Sequence, residues 1–400
     1  MSRQLLSRSD DLRRLVDEGY EVQFPSNMLT LSVPYVNSGG QVARGRLVST
    51  LESAGDRTAN PVADHTVFFI GASGSADDLP CDASGQPLTA LMHQQGAVEI
   101  GAGLIASCGF SHKPPTGYPD YYEKMTTYAA ILLAEVHHVD PDVRVETFAP
   151  LAAEDGESVH RYFDSATSRA RIGAVADKVK GHRVGLIGLG GTGAYILDAV
   201  SKTHAAEIHL YDGDVYRPHN AFRAPGATTL EELAEAPTKV DHHQRTYSAM
   251  HRGIVAHPDN ITEGNIEQLR DMDFVFIAID SGPHKRMIIE YLFRFGVPFV
   301  DTGMGIDQVG SALGGLIRTS RLDPATDTMD WADANLSFTD SDDPYEQNIQ
   351  VVELNMLNAA HAVIAWKKHI GFYRDYGNEI SSNYTLDGNK LMNDSRDDAH

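Results

Sequence analysis

The stretch HRVGLIGLGGTGAYILDAVSKTHAAEIHLYD, residues 182–212, constrains the fold more than any other part of the chain. An apolar run, HRVGLI, leads into a turn with glycines at 188, 190, 191 and 193. An amphipathic run, AYILDAVSK, follows, and a second apolar run, EIHLYD, closes on Asp212. Glycines packed between two patterned segments give a strand–turn–helix–strand unit, which sets its two strands parallel. More such alternation follows: a helix around Lys239–Arg252, a strand-like GIVAHP, a helix around Ile266, the run FVFIAID, a helix through Ile288 and the strand VPFVDTG. The pattern predicts an α/β domain whose mostly parallel sheet is covered on both faces.

Upstream the texture differs. Short strand-like runs (LTLSVPYV, QVARGRLVST, HTVFFIG, VRVETF) are separated by turns, with one clear helix from about Tyr122 to Val139. Met125, Tyr128, Leu132, Val136 and Val139 recur in that helix at three- and four-residue steps and mark a core face. This region reads as a smaller α+β domain. The acidic, Gly- and Ser-containing stretch PLAAEDGESVHRYFDSATSR separates the two textures, and places the boundary near residue 158. The expected divisions are therefore 1–158, 159–383, and a loose acidic tail over 384–400. Near the end, Ile349, Val352, Met356, Ala359, Val363 and Trp366 form a helical stripe suited to packing or a subunit contact.

Composition narrows the function. The net charge of −22 repels phosphate backbones, so nucleic acid is not an expected partner. Two cysteines, Cys81 and Cys108, supply neither a disulfide framework nor a four-cysteine zinc site. No apolar run approaches the ~18 residues of a membrane span, and the first residues lack a signal-peptide core, so a cytoplasmic protein is expected. His65, His112, His137 and His138 make no metal set, because the helical pair is adjacent and cannot share a face.

Gly188, Gly190 and Gly193 spell G-x-G-x-x-G between a strand and a helix, where backbone N–H groups approach a phosphate at a helix N-terminus. Asp212 ends the next strand, where a carboxylate reaches ribose hydroxyls. These two features alone leave open an NAD-dependent oxidoreductase. The loop YDGDVYRPHNAFR adds Asp214, Asn220 and Arg223, for which a plain dehydrogenase has no need. With Lys239 in APTKV and Asp280 in FIAIDS, the ordered set GxGGxG, D-x-D, N-x-x-R, Lys and Asp resembles the ThiF/MoeB/HesA adenylyltransferases, the ubiquitin-activating-enzyme-like superfamily. The resemblance covers roughly residues 160–370 and implies a Rossmann-like fold.

The resemblance implies ATP and Mg²⁺ as cofactors, with Gly188, Gly190, Gly191 and Gly193 at the nucleotide. It implies that Asp212 holds the ribose, that Asp214 also binds the nucleotide, and that Asn220, Arg223 and Lys239 contact phosphates. Asp280 would hold Mg²⁺ or the phosphate end. Attack of a carboxylate on the α-phosphate brings like charges together, so cations and N–H dipoles are what the step needs. The implied substrate is the C-terminal carboxylate, ending in Gly, of a ubiquitin-like protein or peptide in a bacterial conjugation pathway, with a conjugating enzyme as a further partner. A homodimer is also implied, with Arg169 or Arg171 reaching the partner's ATP site. A non-catalytic scaffold that binds nucleotide and a ubiquitin-like protein is the remaining alternative.

Two departures stand out. Many relatives carry paired C-x-x-C zinc sites or an acceptor cysteine after the nucleotide fold, and here no cysteine follows Cys108. Acyl transfer is then expected to use a thiol or amine on another protein. The first domain resembles a domain of unknown function found with bacterial ThiF-type proteins. Its KPPTGYPDYY is loosely like the proline-rich stretch of ubiquitin-conjugating enzymes, and its expected role is recognition of substrate or partner.

Overall fold

Strand residues bury side chains on both faces of an antiparallel sheet in the first half of the chain: Leu31, Leu47 and Phe69 join one core cluster, and Val48, Ile70 and Ala106 another. The computed structural model describes residues 5–396 apart from 7, 56, 62–63, 102, 153–157, 281 and 339–348. Contacts divide the chain into two units, Met1–Glu157 with Tyr162–Gly173, and Ser158–Arg161 with Ala174–His400.

The first unit contains β1 (Val22–Gln23), β2 (Met28–Val36), β3 (Val42–Thr50), a small hairpin of β4 (Ser53–Ala54) and β5 (Arg57–Thr58), β6 (Thr66–Ile70), β7 (Met92–Gly101) and β8 (Leu104–Ser111). The six-stranded sheet has the order β1-β2-β3-β6-β8-β7, every pair antiparallel. Helix α1 spans Asp10–Asp17, α2 spans Tyr121–Val139 and α3 spans Ser165–Ala170. Helix α2 begins where the Asp120 side chain accepts the Glu123 N–H (2.8 Å), and it packs on β2 and β3. Met125, Tyr128, Leu132 and Val136 are buried as the spacing predicts. Val139 is not: it is the last helical residue, beyond the turn that faces the core, and is exposed.

One local expectation fails here. VRVETF is not a strand, because Arg44 takes the carbonyls of Arg144 and Val145, while the N–H groups of Thr147 and Phe148 both donate to Gly19 O. Phe148 is also in the left-handed region (φ 53°), which ends any extended run. The β7–β8 hairpin is an addition that the sequence reading did not anticipate.

In the second unit, β9 (Arg183–Ile187), β10 (Glu207–Tyr211), β11 (Ile254–His257), β12 (Phe274–Ile277), β13 (Phe299–Val309), β14 (Ala312–Leu322), β15 (Glu379–Thr385) and β16 (Lys390–Ser395) form one sheet of order β11-β10-β9-β12-β13-β14-β15-β16. The five strands from β11 to β13 pair in parallel, and β13 to β16 in antiparallel fashion. The longer helices among the described residues are α4 (Gly191–Val200), α5 (Lys239–Tyr247), α6 (Pro283–Phe295) and α7 (Val352–His369). Alternation in β12 shows why both faces are covered. Phe274 and Phe276 join a core with Ile196 of α4 and Trp366 of α7, while Val275 and Ile277 join one with Ile288 and Leu292 of α6. This is a mixed, mostly parallel α/β architecture preceded by a separate antiparallel unit.

The α7 stripe divides: Ala359, Val363 and Trp366 are buried, whereas Val352 and Met356 are exposed. Lys390–Ser395, within the segment expected to be a loose tail, instead forms the edge strand β16 against β15. Ser158–Arg161 lies along the second unit: Arg252 N–H donates to Val159 O (2.7 Å), its Nη1 to Ser158 O (3.1 Å), and Arg161 N–H to Met250 O (2.9 Å). Among the described residues no helix is long and apolar enough to cross a membrane.

Candidate nucleotide site

The carboxyl ends of β9, β10 and β12 lie side by side, and the glycine turn sits on them. Gly188 donates its N–H to Tyr211 O (2.9 Å), holds φ at +90°, and leaves no room for a Cβ, which would strike the Ala278 carbonyl. A Cβ on Gly193 would strike the Gly188 carbonyl, and one on Gly191 would strike the Asn355 amide. Gly190 is different: a Cβ there would meet nothing within 4 Å. Gly190 is also the N-cap of α4 and makes no side-chain capping bond. Open space thus faces an uncapped helix N-terminus, whose N–H dipoles favour an anion.

Asp212 stands at one side of this space and is buried. Its Oδ2 accepts the Leu189 N–H (2.7 Å) and Lys239 Nζ (3.2 Å), and its Oδ1 accepts the Asp214 N–H (2.9 Å). Lys239, the first residue of α5, gives Nζ also to Asp214 Oδ2 (2.7 Å) and its N–H to Asp214 O (2.8 Å). Its position is set by Thr238, whose hydroxyl caps α5 by accepting the Asp241 N–H (3.2 Å). Residues far apart in sequence, the turn, Asp212, Asp214 and Lys239, are thereby brought together. Asn260 joins them, its Oδ1 accepting the Gly213 N–H (3.0 Å).

Asn220 is buried in a one-turn helix, Pro218–Ala221, where its Oδ1 accepts the Arg217 N–H (2.9 Å). Arg223 donates from Nη1 to Gln350 Oε1 (3.0 Å), and its buried Nε has no partner among the described residues. Asp280 is exposed, three residues past the end of β12. Ala278, two residues earlier, donates its N–H to Ile187 O (2.8 Å), so this chain end adjoins the glycine turn. Among the described residues no group of three or more His, Cys, Asp or Glu stands ready to hold a metal.

Arg169 belongs to the first unit, where it donates to the Asp17 carbonyl (2.7 Å) and pairs with its carboxylate (3.5 Å). Arg171 ends α3 in the left-handed conformation. Both cysteines are buried. Burial pushes the Cys108 thiol up to about 12, and burial with Asp82 and Asp78 nearby also raises that of Cys81. Both shifts favour the neutral thiol over the thiolate.

Three residues of this region escaped sequence reasoning. Asn260, Gln350 and Asn355 lie outside the motif set, and a single polar residue in a loop or beside an apolar helical stripe carries no sign of its partner. Asn355 is fully buried and accepts the Thr192 hydroxyl at Oδ1 (2.9 Å).

A glycine turn under a helix N-terminus, with Asp212, Asp214 and Lys239 beside it, occupies residues that match the ThiF family model over 165–311. Residues 165–311 are a ThiF family domain. Residues 10–165 match a domain of unknown function, DUF6791. No curated protein matches the sequence. Several solved structures are similar. Escherichia coli MccB with ATP is 15% identical, with 57% of this chain and 71% of that chain covered and a TM-score of 0.45. MccB with AMPCPP and selenomethionine MccA is 16% identical, with 55% and 66% covered and a TM-score of 0.44. Selenomethionine PaaA is 13% identical, with 69% and 85% covered and a TM-score of 0.45. This chain therefore spans about two thirds of MccB, 66% in the second case. The ThiF family match supports an enzyme with adenylyltransferase-type activity.

Proposed function

We propose that the ThiF family domain binds ATP and adenylates the C-terminal carboxylate of a ubiquitin-like protein or peptide, ending in Gly, in a bacterial ubiquitin-like conjugation pathway. In that step a carboxylate oxygen attacks the α-phosphorus, the bond from the α-phosphorus to the bridging oxygen breaks, and pyrophosphate leaves with the electron pair. The observation that carries this reading is the open space at Gly190, set against an uncapped helix N-terminus and beside Asp212 and Lys239. Phosphates in that space meet N–H dipoles that are already oriented, which offsets charge without reorganisation. Each oxygen of Asp212 has two lone pairs, and Oδ1 gives one to Asp214, so an acceptor remains for a ribose hydroxyl.

Lys239, Asn220 and Arg223 offset phosphate charge in this reading, and the buried Nε of Arg223, without a partner among the described residues, is a donor in waiting. A Mg²⁺ ion is bound through one or two carboxylates plus substrate phosphates and waters. A single exposed Asp280 fits that demand, where a closed protein cage is not required. When bound, Mg²⁺ neutralises charge on the phosphates. Acyl transfer goes to a thiol or amine of another protein, such as a conjugating enzyme, since both thiols of this chain are buried. The working unit is a cytoplasmic homodimer in which Arg169 or Arg171 reaches the partner's ATP site.

The test is ATP–pyrophosphate exchange dependent on a Gly-terminated ubiquitin-like protein, together with thermal shifts for ATP–Mg²⁺ and for NADH. Asp280→Ala is expected to lose exchange and keep its fold. Undiminished exchange in that variant rejects the assigned site, and binding of NADH without ATP returns the oxidoreductase reading.

A further inference from the structure

The N-terminal half of α7 lies outside the residues of the family match, yet it holds the nucleotide site at two points. Gln350, just before the helix, receives Arg223 Nη1 (3.0 Å). Asn355, one turn into it, receives the Thr192 hydroxyl (2.9 Å) at the second position of α4. The two asparagines of α7 differ in a telling way. Asn358 uses both ends of its amide, accepting from Thr319 Oγ1 (2.8 Å) and donating to Gly303 O (3.0 Å). Asn355 uses one: its Nδ2 is buried and has no partner among the described residues. That Nδ2 occupies the place a Cβ on Gly191 would need, against the first residue of α4.

An unpartnered buried donor is costly, and an apolar residue here would spare that cost only by leaving the Thr192 hydroxyl without its acceptor. Its position suggests what it is for. The N–H dipoles of Nδ2 add positive potential at the α4 N-terminus, and the Oδ1 bond fixes the residue that follows Gly191. We infer that Asn355 is a positioning residue for the ATP phosphates, acting through Gly191 and Thr192 on the α4 N-terminus without touching the nucleotide. This rests on the reading of the site as an ATP site, but not on the identity of the acyl substrate.

The experiment compares ATP–Mg²⁺ dissociation constants by titration calorimetry at 25 °C for the full chain and the variants Asn355→Asp, Asn355→Ala and Thr192→Val. Aspartate keeps the shape and the acceptor for Thr192 but puts an acceptor, or a negative charge, where Nδ2 stood. The expected order of weakening is Asn355→Asp most, about tenfold or more, then Asn355→Ala. A residue that only packs gives the reverse, with the isosteric aspartate nearest to wild type and alanine worst. An Asn355→Asp constant within twofold of wild type overturns the proposal. Should that variant fail to fold by circular dichroism, Thr192→Val decides: a rise of about threefold or more is expected, and an unchanged constant overturns it. A wild-type chain that binds ATP but performs no pyrophosphate exchange ends the adenylation reading and leaves this inference standing. Absence of ATP binding ends both.

Discussion

Alanine at position 190 separates folding from nucleotide binding. Gly190 has φ −72° and ψ −154°, which an L-residue adopts without strain, and an added Cβ meets nothing within 4 Å. Glycine-to-alanine changes at compatible positions stabilise by ~0.4–1 kcal/mol through the unfolded chain, so Gly190→Ala is expected to fold at least as well as wild type. Its neighbours behave oppositely. Gly193→Ala drives a methyl into the Gly188 carbonyl, an overpacking that costs ~1–3 kcal/mol. Gly188→Ala adds a similar collision with Ala278 to a left-handed backbone worth ~1–2 kcal/mol. With ATP at 100 times its Kd the wild-type domain gains ~2.7 kcal/mol, and a variant that binds about a hundredfold more weakly keeps only ~0.4. At ~2–4 °C per kcal/mol for a unit of this size, the ATP-induced rise in Tm then shrinks by ~5–9 °C. Differential scanning fluorimetry with and without ATP–Mg²⁺ reads both effects. If Gly190→Ala is folded and shows the full wild-type shift, the phosphates do not occupy the space above Gly190 and the site as argued is wrong.

Mixing Arg169→Ala chains with Asp280→Ala chains is expected to restore part of the pyrophosphate exchange that each lacks, because a mixed dimer holds one intact composite site; unchanged exchange in both Arg169→Ala and Arg171→Ala refutes the shared site. The Cys81→Ser/Cys108→Ser double variant should retain adenylation and transfer to an added conjugating partner, whereas a reductant-sensitive thioester on the wild-type chain that vanishes in the double variant contradicts this. Burial lowers His251 to about 4 and His243 to about 3, so in the fold both resist protons that the unfolded chain accepts near 6.5. Stability of the second unit should fall as pH drops from 6.5 towards 4, by ~1.4 kcal/mol per pH unit for each histidine; urea midpoints that stay flat between pH 7 and 5 contradict it.

How much of this was legible depends on how local the signal is. The glycine turn was readable because glycines at this spacing between a strand and a helix mark a tight turn with close backbone approach, of which the contact of Gly193 with Gly188 is the local part. Helix α2 was readable from its spacing and from Asp120, which caps its first turn. Beyond the start of β13, the β13–β16 meander was not, because ALGGLIRTSRL interrupts its alternation with two glycines, and Gly315 takes φ 123° where its chain passes the Gly305 carbonyl. The Lys239 bridge between Asp212 and Asp214 joins residues that the motifs assigned to separate parts of a nucleotide. Asn355 was invisible for a different reason: nothing in a single polar residue on an apolar helix announces a hydroxyl on another helix.

The four residues Ser158–Arg161 impose an order on biosynthesis. The chain leaves the first unit before them, re-enters it at Tyr162–Gly173, and only then commits to the second. Their backbone partners, Met250, His251 and Arg252, are made some 90 residues later. At ~5–20 residues per second on the ribosome, this segment waits roughly 5–18 s for its place while the residues on both sides of it are already available to the first unit. During that interval its backbone groups lack the partners at Met250, His251 and Arg252 that they have in the finished molecule. A pause in translation between residues 173 and 250 lengthens that window without altering a single contact of the finished molecule.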